Sequence, residues 1–291
     1  MYKENILREY IKNSELRIFN DKVNVRLSKE LSIKYDSGIY DTFLNHISMS
    51  LNKIENLNIK YPSNSKPKLY IYIVPDDNFE EYLQIPPHFR NGKRGGKPVP
   101  CFDLDGFNQA YGLNQYILES ANKNSYNISK EVNEIHELAH LVMNQFKNCS
   151  STISEGFAEV VPLYLLDYEN IFEEHKNAIK NLKDSEIYTV KELLDSEKDN
   201  TYGHTALIEN KSCSFRLSYI SSYLFVRSCI EKIENEFNLD KIKATQHFLE
   251  LLRTSKYINE WLIFEIADFI KIDKEKLLYN KDLQVKIINK L

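Results

Sequence analysis

The five residues His136-Glu137-Leu138-Ala139-His140 constrain this chain more than any other stretch, because their spacing has a chemical meaning only on a helix. Around them Val132, Ile135, Leu138, Ala139, Val142 and Phe146 recur at three- and four-residue intervals, which predicts one apolar helix face from about Ile128 to Phe146. Residues four apart on an α-helix differ by about 40° in direction and about 6 Å in height. Both imidazoles can then reach one metal ion from a single face. Glu137 is turned about 100° away from His136 and can address a water at the ion rather than the ion itself. The competing reading is two histidines satisfied by hydrogen bonds on a half-buried helix.

Two histidines leave a tetrahedral zinc short of a protein ligand, since catalytic sites use three protein ligands plus water and the third is often a carboxylate. A short polar loop leads into Ile153-Ser-Glu-Gly-Phe-Ala-Glu159, where Glu155 and Glu159 are four apart and share a helix face. Glu155 follows His140 by 15 positions, and the intervening turn can fold the second helix back on the first. Glu155 also fits a capping box begun by Thr152, and Glu159 fits a solvated surface carboxylate. At this point both readings stand for each glutamate.

The run His136-Glu-Leu-Ala-His140, followed by Ser154-Glu-Gly-Phe-Ala-Glu159, resembles the gluzincin zinc metallopeptidases, in particular the catalytic domain of the M1 aminopeptidases. The resemblance covers about Gly106 to Val226, and the gap between His140 and Glu155 is a few residues shorter than is typical of M1 enzymes. It implies that His136, His140 and Glu155 hold one zinc ion per chain. It also implies that Glu159 supports a ligand histidine and that Glu137 is the general base of peptide hydrolysis. In that family a tyrosine near the start of a later helix donates a hydrogen bond to the tetrahedral intermediate, which implies Tyr219 in Ser218-Tyr219-Ile-Ser-Ser-Tyr223. Tyr223, Tyr202 and His204 are alternatives for that role, and simple packing of Tyr219 with Tyr223 at i and i+4 is the plainer reading. The family's Gly-Ala-Met-Glu-Asn motif, whose glutamate grips the substrate's amino group, can be laid on Gly106-Phe-Asn-Gln109-Ala110. Gln109 would then replace the amine-binding carboxylate. A neutral amide lacks the charge-assisted contact, so endopeptidase action is favoured slightly over aminopeptidase action. The alternative is a non-catalytic binding protein that keeps a gluzincin fold, against which the retained Glu137 argues.

The rest of the chain sets the expected fold. Apolar residues alternate from Leu16 to Leu27 around Asn20-Asp21, which predicts a hairpin. Phe43, Leu44, Ile47, Leu51, Ile54 and Leu57 predict an amphipathic helix over Tyr40 to Leu57. Leu69 to Val74 reads as a strand stopped by Pro75, and the Pro- and Gly-rich stretch from Pro86 to Gly106 as a long irregular loop. Ala110 to Leu118 reads as another strand, on whose edge a peptide could add. From Ile128 the pattern is helical to the end, with loops near Asn148–Ser151 and Ser196–Thr205. The expectation is an α+β protein: a small mixed sheet with helices, a zinc-binding helix pair and a mostly helical C-terminal half. The resemblance makes this a thermolysin-like catalytic domain. Residues 1–127 form its sheet-containing part with an edge strand, and 128–291 the helical part carrying the zinc site, as one compact catalytic unit.

Composition removes several other classes. Lys and Arg total 38 against 42 Asp and Glu, a net charge of −4, which offers no basic excess for nucleic acid or an anionic membrane. Gly92-Lys-Arg-Gly-Gly-Lys97 lacks the spacing of a phosphate loop, and His46, His88, His175 and His247 lack metal-ligand spacing. No apolar run is long enough to span a bilayer, and the first 18 residues hold no apolar block, so a cytoplasmic protein is expected. Cys101, Cys149, Cys213 and Cys229 are widely spaced and are expected as free thiols. The expected partner is a peptide or protein substrate.

Overall fold

The computed structural model describes residues 13–21, 23–38, 40–57, 69–74, 99–100, 115–120, 128–143, 146, 149–168, 173–199, 201–202, 207–210 and 213–291. The chain divides into two units, Met1–Lys53 with Tyr61–Asn144, and Ile54–Lys60 with Gln145–Leu291.

In the first unit, strands β1 (Glu15–Ile18) and β2 (Val23–Leu27) pair antiparallel about the Asn20-Asp21 turn. The turn is set locally: Asn20 Oδ1 accepts the Val23 N–H at 2.8 Å, and the Val23 carbonyl accepts the Phe19 N–H at 3.0 Å. β2 then pairs in parallel with β3 (Leu69–Val74), and β3 in parallel with β5 (Gln115–Ser120). β4 (Val99–Pro100) closes the order β1-β2-β3-β5-β4, antiparallel to β5 at Leu118 and Ile117. The sheet is mixed and the protein α+β. Two expectations need correction. The strand expected at Ala110–Leu118 is described at Gln115–Ser120 and is interior, because β4 pairs along its outer side. It therefore offers no free edge at Ile117 and Leu118 for a peptide. Val99 and Pro100, which the sequence places in an irregular loop, are that covering strand; the proline is tolerated at its outer position.

Helix α1 (Lys29–Asp36) starts at Ser28, whose hydroxyl accepts the Leu31 N–H. α2 (Asp41–Asn56) buries Leu44, Ile47, Leu51 and Ile54 at the spacing the sequence predicts. α3 (Ile128–Met143) buries Val132, Ile135, Leu138, Ala139 and Val142. It ends short of Phe146, which stands outside the helix.

The second unit is built on α7 (Leu217–Phe237), which is buried around most of its girth from Leu217 to Ile233. Against it pack α4 (Ser151–Val160), α8 (Lys241–Thr254) and α11 (Asp282–Ile288). α5 (Glu173–Lys180), α6 (Val190–Lys198), α9 (Asn259–Phe269) and α10 (Lys274–Tyr279) complete the helical set, with α6 lying on α4 and α10. A hairpin of β6 (Leu207–Asn210) and β7 (Cys213–Arg216) interrupts the helices, a feature absent from the sequence reading. α4 runs directly into a π-helical turn, Val161–Leu165, with Pro162 at its start and the Leu166 N–H bonded to the Val161 carbonyl at 3.1 Å. In that turn Tyr164 donates to Glu234 Oε1 at 2.6 Å, and its ring carries the Arg227 guanidinium 4.5 Å from the centroid. Arg227 is buried on α7, where its Nε meets Glu231 Oε1 at 3.0 Å and its Nη1 donates to Tyr223 Oη at 2.6 Å. Cys149 and Cys229 are free thiols. No described helix is long and apolar enough to cross a membrane.

Candidate metal centre

α3 delivers both histidines because their four-residue spacing stacks them on one face. Their rings are buried and nearly perpendicular (82°), and their Nε2 atoms stand 3.1 Å apart. Two nitrogen ligands of a tetrahedral zinc are separated by about 3.3 Å when each bond is about 2.0–2.1 Å. That spacing suits two ligands of one ion and equally a hydrogen bond between the two rings. Glu137, between them in sequence, is half-buried, and its Oε2 is shielded from solvent.

Glu155 lies in the middle of α4, half-buried, with its Oε2 likewise shielded. One ligand atom from each of His136, His140 and Glu155 lies within 4.8 Å of the others, and this His-His-Glu triad could hold a metal ion. Two imidazoles and a carboxylate also match the donor chemistry of a catalytic zinc. Glu159, one turn beyond Glu155, is half-buried on the same helix.

The alternative role for Glu155, as the closing residue of a capping box begun by Thr152, is not what α4 does. Its N-cap is Ser150, whose hydroxyl accepts the Ile153 N–H at 3.4 Å. Thr152 is instead the second residue of the helix and is fully buried. Its N–H donates to Glu197 Oε1 at 2.6 Å, its hydroxyl donates to the same oxygen, and the Ser151 N–H reaches Glu197 Oε2 at 3.2 Å. Burial pushes the Glu197 carboxyl above its ordinary value; the Thr152 and Ser151 donors oppose that shift, and the charge of Glu155 adds to it. Nothing local in the sequence marks Glu197, which lies 45 residues from Thr152.

Tyr219 is the third residue of α7 and is half-buried, its ring 5.8 Å from that of Tyr202. Of the alternatives for its role, Tyr223 is buried with its hydroxyl on Arg227. Tyr202 shares a hydrogen bond with Ser222 Oγ at 2.6 Å, and its backbone carbonyl accepts the Ser218 hydroxyl at 2.8 Å. Burial first, and then the negative charge of Glu155, holds the Tyr202 hydroxyl well above its ordinary value. Gln109, His204 and Gly92–Lys97 lie outside the described residues.

In comparisons with known proteins, no family model matches the sequence and no curated protein matches it.

Proposed function

We propose that the protein is a zinc-dependent peptidase of the gluzincin type, with a thermolysin-like arrangement of its catalytic helices. One observation carries the reading: His136, His140 and Glu155 gather as a metal-ligand set with Glu137 placed between the two histidines in sequence. A zinc ion bound there would supply Lewis acidity and bring the pKa of water toward about 7. Glu137 accepts the proton of the attacking water and returns it to the leaving amine. Tyr219 donates its hydroxyl hydrogen to the carbonyl oxygen as negative charge develops there. Glu159 orients a ligand histidine. Substrates are peptides or proteins, and with Gln109 in place of an amine-binding carboxylate the action is endoproteolytic.

The test is a peptide-library digest read by mass spectrometry, run with zinc-loaded protein and again after chelation. Internal cleavages should appear, vanish with the chelator, and proceed at least as well on amino-terminally blocked peptides as on free ones. An intact library after zinc loading would overturn the hydrolytic reading. Stepwise release of single residues that acetylation abolishes would instead make it an aminopeptidase.

A further inference from the structure

The first turn of any α-helix leaves backbone N–H groups without intrahelical acceptors, and a buried first turn must find them elsewhere. In α4 the answer is divided. Ser150 serves Ile153 from within the local chain, as a sequence would suggest. Ser151 and Thr152 are served by Glu197, carried in from the last turn of α6, and the Thr152 hydroxyl adds a third donor to the same carboxylate. Three donors on one partly buried carboxylate, with Thr152 fully buried, tie the start of α4 to the end of α6.

We infer that Glu197 is the positioning residue for Glu155, fixing how far α4 is turned and advanced along its axis. Glu155 stands three residues beyond Thr152, about 4.5 Å along a rigid helix, so a joint at the first turn is transmitted directly to its carboxylate. One turn beyond Thr152, Gly156 is pressed against α7 at Ser222 and Val226. The helix is thus held at its start by a carboxylate and stopped at its middle by a neighbouring backbone.

This inference rests on the zinc-site reading, and the experiment separates the two. Zinc affinity is measured on the full chain by competition with a chromophoric chelator, for the wild type, Glu197→Ala, Glu197→Gln, Thr152→Val and the remote control Glu250→Gln. Helix content is followed by circular dichroism, so that affinity is read on folded protein. Glu197→Ala should weaken zinc binding about 10–100-fold, the usual effect of losing a group that orients a ligand. Glu197→Gln keeps one carbonyl oxygen for Thr152 and should fall between that variant and the wild type, while Glu250→Gln should match the wild type. A folded Glu197→Ala with wild-type affinity would overturn the inference. If that variant does not fold, wild-type affinity in both Glu197→Gln and Thr152→Val would overturn it instead. A wild-type chain that binds no zinc would remove the proposed function itself, whereas wild-type zinc binding with unaltered variants would remove only the role of Glu197.

Discussion

Gly156 faces the backbone carbonyl of Ser222 so closely that no side chain fits between them. A Cβ at Gly156 would meet the carbonyl oxygen, stand 2.7 Å from the carbonyl carbon and lie 2.6 Å from Val226 Cγ2. A glycine in a helix ordinarily costs about 1 kcal/mol relative to alanine, so its presence here reflects the approach of α4 to α7 rather than helix propensity. Gly156→Ala should therefore destabilise the protein by about 1–3 kcal/mol, as overpacking does, despite alanine's better propensity. Denaturant unfolding checks this; a stabilised variant would mean that the two helices separate without penalty.

The metal set predicts a specific pattern of depletion. Purified protein reconstituted with zinc should hold close to one ion per chain by elemental analysis. His136→Ala, His140→Ala and Glu155→Ala should each lose most of it, since each removes one member of the three-residue set that could hold the ion among the described residues. Full occupancy and activity in Glu155→Ala would place the third ligand elsewhere.

Glu137→Gln separates base from ligand. The variant should retain zinc while its turnover falls about 10²-fold or more, the effect of removing a positioned general base. Metal content and kcat measured on the same preparation decide the matter, and undiminished turnover would exclude the assigned role.

The two tyrosines of the first turns of α7 should behave differently. Tyr219→Phe should lower kcat about 10²-fold with little change in KM, as expected of a donor used chiefly in the transition state. Tyr223→Phe removes the hydroxyl that accepts from Arg227 in the core, so it should destabilise by about 1–3 kcal/mol without that kinetic signature. Steady-state kinetics and unfolding on both variants would expose an exchange of roles.

A pH dependence of stability follows from the cap of α8. The Lys243 N–H donates to Asp240 Oδ1 at 2.8 Å, and this bond holds the Asp240 carboxyl below its ordinary value. A depressed folded value means that the stabilisation is present above the unfolded value of about 4 and is lost as pH falls through the folded one. Asp240→Asn keeps a capping oxygen but cannot titrate. Its melting temperature should fall less than that of the wild type as pH is lowered from about 6 to about 3.

What the sequence revealed was what short-range geometry determines. The His136–His140 pair, the buried face of α2 and the Asn20-Asp21 hairpin each depend on residues a few positions apart, and the structure has them as expected. Pairings between distant segments were less accessible. Two residues at Val99–Pro100 are too short to carry a period, yet they cover β5. The β6–β7 hairpin turns within Leu207–Arg216, without the Asn-Gly or Asp-Gly dipeptide that would announce it. Glu197 reads as an ordinary polar residue near the end of a helix, and only the fold shows that it serves another helix 45 residues away.

The π-helical turn after α4 works as a phase adjustment. Its wider ring takes up one residue more than an α-turn, so the residues toward its end are displaced from where an uninterrupted helix would put them. That offset delivers Tyr164 to Glu234 and Arg227. Deleting one residue from Val161–Leu165 would remove that displacement, and its tyrosine would face the wrong way. Length in this segment is consequently as strictly specified as identity, and a variant that looks more ideal locally would be globally out of step.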